Sequence, residues 1–209
     1  MRHRTGAVGG RRDDGRGGGD DSDDGRRPTA GRSGMKVYTT DPPTPERTKV
    51  GVAEYAVAEG DSTLVTSGLG SCVGIALADT DAGVGGLAHA MLPSAADRTA
   101  GPEPGDDDHS AGKYVDTAVP DLLAAMADRG AHRSRIEARL AGGSAMFEFS
   151  SADGGVGDRN VAAAKAALAE RDVPVVATDV GGDHGRSLTL TAGTGELSVR
   201  RAHGDTRVI

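Results

Sequence analysis

The chain has 209 residues, a formal net charge of −7, one cysteine and no tryptophan. That length holds one well-buried core more readily than two small domains, and the acidic balance argues against nucleic acid as a partner, because phosphate binding needs a concentrated basic face. A lone cysteine excludes an internal disulfide and a CxxC zinc site, while the lack of an apolar run of ~18 residues excludes a spanning helix.

The N-terminus has no apolar stretch of the kind that marks a secretory signal, so a soluble, cytoplasmic protein is expected. The acids are mostly Asp, and lysine is limited to Lys36, Lys49, Lys113 and Lys165. Such a surface stays hydrated at high salt, where screening relieves its self-repulsion, and reads as a halophile's.

Residues 1–34 are short runs of Gly, Arg and Asp, with Val8 the one large aliphatic residue between Met1 and Met35. Too little apolar surface is present to offset ordering entropy, so a disordered, solvated tail is expected. Met35 is a plausible alternative start. Residues 39–48, TTDPPTPERT, form a Pro-rich lead-in, so 1–48 is expected to be tail and 49–203 a single domain.

KVGVAEYAV (49–57) and STLVT (62–66) read as strands separated by the turn-like EGD. CVGIALAD (72–79) places Val73, Ile75 and Leu77 on one face and Cys72, Gly74 and Ala76 on the other. TDAG (80–83) is a turn signal, and VGGLAHAML (84–92) pairs back as a hairpin, which brings Cys72 and His89 side by side. A thiolate is a common nucleophile for carbonyl carbon near neutral pH and needs a nearby base, so this pair is a candidate catalytic centre.

After Pro93, residues 94–112 are acidic and rich in Gly and Pro, which predicts a mobile loop bearing on access to that centre. Val115, Val119, Leu122, Leu123 and Met126 recur at helical spacing from 113 to 129, stopped by Gly130. Pro120 predicts that this helix either kinks or starts there. RIEARLAGG (135–143) alternates as a strand with Ile136, Ala138 and Leu140 inward. A second helix is expected from Asp158, as its cap, to Arg171, with Val161, Ala164 and Leu168 inward. VPVVATDV is a further strand, and 186–201 closes as a hairpin around Gly193 and Gly195. About eight strands and two main helices in mixed order predict an α+β fold, a layered α/β sandwich.

Read by themselves, these residues leave alternatives open. A lone cysteine also serves as a small buried hydrophobe, His89 as a core histidine, and Thr66 as a β-branched strand residue. GLGSC lacks the lysine and following helix of a phosphate-binding loop. His109, His132, His184 and His203 sit in polar surroundings and are expected to face solvent. Asn160, Gly142 and Gly143 are candidates to line a cleft or simply to build turns and a helix start. With aromatic residues limited to Tyr38, Tyr55, Tyr114, Phe147 and Phe149, an interface lacks its usual anchors, so a monomer is expected.

Several blocks in order carry a resemblance: GLGSCVGIAL with Cys72, GGLAHAMLP with His89, AGGSAMF at 141–147, VGDRN at 156–160, DVGG with GR at 179–186, and the closing GTGELSVRR. In these the chain resembles CheD, the chemoreceptor glutamine deamidase of chemotaxis systems, from about Val50 to Arg201. Leu140 and Ala141 stand where the family more often has Val–Phe, and the N-terminal extension and acidic loop look like additions. The resemblance implies a Cys–His pair helped by a threonine, on Cys72, His89 and Thr66. It implies hydrolysis of receptor glutamine side chains to glutamate, with methyl-accepting chemoreceptors as substrate, the CheC phosphatase as partner, and no metal or organic cofactor. A non-catalytic or weakly catalytic docking partner of the CheC phosphatase is the alternative. It also implies a sandwich like the catalytic domain of cytotoxic necrotizing factor toxins.

Overall fold

The structure is a computed structural model that describes residues 45–97, 111–145 and 155–209. The expected tail before residue 45, most of the 94–112 loop, His109, Tyr38, Phe147 and Phe149 lie outside the described residues. Ten strands and two α-helices are present among the described residues: β1 (Arg47–Lys49), β2 (Tyr55–Glu59), β3 (Thr63–Leu69), β4 (Val73–Asp79), β5 (Val84–Ala90), α1 (Val115–Ala127), β6 (Glu137–Gly142), α2 (Val156–Ala169), β7 (Val175–Val180), β8 (Arg186–Thr191), β9 (Leu197–Arg201) and β10 (Thr206–Val208).

They form two five-stranded sheets, ordered β1-β3-β8-β9-β10 and β2-β5-β4-β6-β7. Both sheets mix parallel and antiparallel pairs, in keeping with the α+β expectation. The second sheet lies in the middle. One face packs under α1 and α2 through Val73, Ile75, Leu77, Leu122, Leu140 and Leu168, and the other packs on the first sheet through Ala76, Leu87, Leu64, Leu188, Leu190 and Leu197. Each large side chain so removed from water contributes about 1.5–3 kcal/mol before ordering entropy is subtracted.

The period-2 pattern reads correctly at the centre: Val73, Ile75 and Leu77 face the helices, whereas Ala76 faces the first sheet. β4 and β5 form the expected antiparallel hairpin, with Val73 opposite Ala90, Gly74 opposite His89 and Asp79 opposite Val84. Every residue of both strands is buried. Helix α2 buries Val161, Ala164 and Leu168 as expected.

Three expectations are corrected. The run 49–57 is not one strand: Lys49 ends β1 in the first sheet and Tyr55 opens β2 in the second. The break is a turn in which the Glu54 carboxylate accepts the Gly51 N–H at 2.8 Å and Ala53 takes a φ of 64°. It also puts Arg47 and Thr48 of the expected lead-in within a strand. Helix α1 runs through Pro120 and does not start there. The N-cap of α2 is Gly155, so Asp158 lies inside the first turn, where its charge still complements the helix dipole. The short edge strand β10 was not expected, because three exposed residues carry no alternation to read.

Candidate active site

Thr66 and His89 approach each other from different sheets. Thr66 lies on β3 and His89 on β5, and Thr66 Oγ1 is 2.8 Å from His89 Nδ1 in a buried hydrogen bond. Thr66 shares its inward parity with Leu64, and His89 shares its parity with Leu87; both leucines belong to the core between the sheets. The other ring nitrogen, Nε2, is buried and has no hydrogen-bond partner among the described residues.

Cys72 stands just before β4. Gly74, opposite His89, directs its missing Cβ at the Leu188 and Leu69 side chains of the first sheet, which fixes the face that this stretch shows to the inter-sheet space. Two residues earlier, Cys72 has the same parity and packs against the same core. It is therefore diagonal to His89 on one face. Cys72 is half-buried while His89 is fully buried, so Cys72 is the more accessible residue of the two.

The backbone around the sulfur is held tightly. The Gly143 N–H donates to the Cys72 carbonyl at 2.8 Å, and the Ser144 N–H donates to the Gly70 carbonyl at 2.8 Å. Gly142 and Gly143 have φ of 107° and 63°, and a Cβ on Gly142 would strike the Cys72 carbonyl oxygen. These two glycines therefore form the shelf against which the cysteine loop lies.

Comparison with known proteins bears on the same region. The family profile described as CheD chemotactic sensory transduction matches residues 91–201, more than half of the chain. A protein of Haloarcula marismortui named probable chemoreceptor glutamine deamidase CheD is 49% identical over 177 residues, covering 82% of this chain and 98% of the relative. The chain belongs to the CheD family. A like-named CheD of Natronomonas pharaonis is 40% identical over 82% of this chain and 98% of its own length. The chemoreceptor glutamine deamidase CheD of Thermotoga maritima is 41% identical over 74% and 92%. The haloarchaeal relatives accord with the acidic, lysine-poor composition. The CheD profile match begins at Met91, two residues beyond His89, so it does not include Thr66, Cys72 or His89.

In this CheD fold the two titratable groups of the site are both pushed toward neutrality. Burial raises the Cys72 thiol above its ordinary value of 9.0, against a smaller opposing hydrogen bond from backbone. Burial likewise lowers His89 below 6.5. Both shifts favour the uncharged forms, thiol and neutral imidazole. A cavity of about 530 Å³ opens on the outer face of the first sheet, lined by Arg47, Lys49, Ser187 and Arg200. Thr66 also borders it, but the Thr66 hydroxyl points the other way, to His89.

Of the remaining histidines, His132 and His203 are exposed as expected. His184 is half-buried, with Nε2 shut off from water and unpartnered among the described residues. The turn between β7 and β8 folds it inward, a tertiary effect that its polar neighbours conceal.

Sequence reasoning missed a buried charge cluster behind the shelf. Arg186 Nε donates to Asp179 Oδ1 at 2.8 Å, Arg201 Nη2 to Asp179 Oδ2 at 2.7 Å, and Arg186 Nη1 to Ser144 Oγ at 2.7 Å. Burial pushes the Asp179 carboxyl up, but the bonds from Arg201 and Arg186 outweigh it and hold the group below the usual carboxylate range. The cluster joins β7 of the middle sheet to β8 and β9 of the outer one. Through Ser144 it braces the loop under Cys72. The DVGG and GR blocks contained two of these residues, yet nothing in their spacing pairs them.

Proposed function

We propose that this chain is a protein-glutamine deamidase that hydrolyses glutamine side chains of chemoreceptors to glutamate, with Cys72 as nucleophile, His89 as general base and acid, and Thr66 as the orienting residue. The observation that carries this reading is the Thr66–His89 bond, which occupies Nδ1 and leaves a buried, unpartnered Nε2 on the inter-sheet face shared with Cys72.

With Nδ1–H donating to Thr66 Oγ1, Nε2 is bare and accepts the Cys72 proton. The thiolate adds to the carboxamide carbon of the substrate. The resulting oxyanion is met by backbone N–H groups of the Gly68–Cys72 turn. His89 returns its proton to the leaving nitrogen, the C–N bond breaks, and ammonia departs from a γ-glutamyl thioester. Water, losing a proton to His89, adds to the thioester; collapse releases glutamate and restores the thiol. No step calls for a metal or organic cofactor.

The relatives' names supply the substrate class; the family resemblance adds a sandwich like that of cytotoxic necrotizing factor toxins and docking on the CheC phosphatase, while a cytoplasmic site of action and a monomer rest on the composition of the sequence. A second reading, docking with little catalysis, is favoured by one observation: burial raises the thiol instead of lowering it. Incubation with a receptor cytoplasmic fragment, followed by peptide mass spectrometry, separates the two. Gln-to-Glu conversion that vanishes in Cys72→Ala supports the deamidase. Conversion that persists in Cys72→Ala rejects the mechanism, and none with the wild type favours docking.

A further inference from the structure

Asn160 lies in the second turn of α2 and is fully buried, next to the apolar Val161 and one turn from Ala164. A residue selected for packing alone would be apolar there, like those neighbours. Its side-chain Nδ2 instead donates to two backbone carbonyls, Ser71 at 2.9 Å and Met91 at 2.8 Å. Ser71 immediately precedes Cys72, and Met91 follows His89 by two residues. The amide's own oxygen, Oδ1, is buried and has no partner among the described residues, so both hydrogen bonds of this side chain are spent on that bridge.

The bridge falls where the sheet stops holding the two strands together. The last β4–β5 pair is Val73 with Ala90. Beyond it the two chains turn to different partners: Met91 and Leu92 donate to the Lys113 carbonyl, whereas the Gly70 and Cys72 carbonyls accept from Ser144 and Gly143. Without a further tie, the offset between the sulfur and the imidazole would depend on two segments held by different partners. A planar amide with two N–H groups in fixed geometry is the side chain that can span two carbonyls at once.

We propose that Asn160 is a positioning residue for the thiol–imidazole pair: by clamping Ser71 to Met91 it fixes the diagonal offset of Cys72 from His89 at the open end of the hairpin. The inference rests on the Cys72–His89 reading given above.

Because Cys72 is the sole cysteine, iodoacetamide labelling of the full chain reports that sulfur alone. The test is the rate of labelling against pH for wild type, Asn160→Ala, Asn160→Ser, His89→Ala and the His89→Ala/Asn160→Ala double variant, each checked for native circular dichroism. His89→Ala slows labelling near pH 7. Asn160→Ala slows it about tenfold, and this effect disappears in the His89→Ala background, because there is then no base to misplace. Asn160→Ser keeps one donor and falls between wild type and alanine; it also serves if the alanine variant does not fold. With a receptor fragment, Asn160→Ser lowers kcat while KM stays near the wild-type value. An equal effect of Asn160→Ala with and without His89, or no effect of either Asn160 variant, overturns the proposal. No effect of His89→Ala on labelling overturns the underlying pair itself, a distinguishable result that removes what Asn160 would position.

Discussion

Thr66 and His89 belong to different sheets, and the 2.8 Å contact between Oγ1 and Nδ1 joins them on the face where Cys72 stands. The imidazole orientation is therefore a product of tertiary packing: β3 must sit over β5 for the hydroxyl to reach the ring. Whatever shifts the outer sheet also turns the imidazole.

Thr66→Val keeps the β-branched shape and removes only the hydroxyl. His89 Nδ1 is then buried without a partner, and the ring is free to adopt the tautomer that carries its proton on Nε2. We expect kcat/KM for receptor deamidation to fall about 10–100-fold, the ~1.4–2.7 kcal/mol of an orienting bond lost from the transition state. Thr66→Ser should recover most of it. Equal activity of the valine and wild-type proteins would remove Thr66 from the mechanism.

The pH dependence follows from two groups shifted by burial in opposite senses. His89 is lowered from 6.5, so the unfolded chain binds more protons on acidification, and stability falls as pH drops below 6.5. Cys72 is raised from 9.0, so the unfolded chain releases its proton more readily, and stability falls as pH climbs above 9.0. Between those values neither group opposes folding. The same neutral pair starts the reaction in the proposed mechanism, so kcat/KM should show a broad plateau, with its acid limb below 6.5 and its alkaline limb above 9.0. A narrow bell centred between lowered thiol and raised imidazole values would instead mean a resting ion pair.

Much of the centre of this fold was legible because local signals and tertiary demand agree. The TDAG turn and the alternation from Val73 to Leu77 place β4 against β5 in the register that brings His89 beside Gly74. The Lys49–Val57 run failed because a positive φ at Ala53 and a bond from the Ala53 N–H to the His89 carbonyl, 3.0 Å long, hold a turn that no propensity marks. The Asp179, Arg186 and Arg201 cluster escaped for another reason. Its members lie on three strands of two sheets, and only the packing of one sheet on the other makes them neighbours. Asn160 was visible as a polar residue at a helix start, but its two carbonyl partners belong to distant loops.

Gly142→Ala tests the shelf beneath the cysteine. The new Cβ collides with the Cys72 carbonyl oxygen, and the φ of 107° is unfavourable for alanine. Strain of this kind costs about 1–3 kcal/mol before the clash is counted. Relief requires moving either Cys72 or β6, so a fall in Tm should come with loss of deamidation, even at temperatures where the variant is fully folded. Full activity in a destabilised variant would show that the Cys72 backbone tolerates displacement.

Asp79 offers a contrast, because it anchors the far end of the β4–β5 hairpin. Its buried carboxylate accepts bonds from Arg135 at 2.8 and 3.0 Å, from the His132 N–H at 2.7 Å and from the Ala82 N–H at 3.1 Å. The Arg135 guanidinium, helped by those backbone donors against the cost of burial, holds its pKa at about 2, below the ordinary 3.8. A carboxyl lowered on folding adds stability that is present above 3.8 and is lost as pH falls toward about 2. The Arg135 side chain is 41% exposed, so solvent screens part of this ion pair. Asp79→Asn should therefore lower Tm at neutral pH and narrow the gap to wild type as the solution is acidified through that window. Because Asp79 sits at the opposite end of the strand from Cys72, kcat should remain unchanged in the folded variant. A loss of kcat without further unfolding would mean that hairpin register is transmitted along β4 to the thiol.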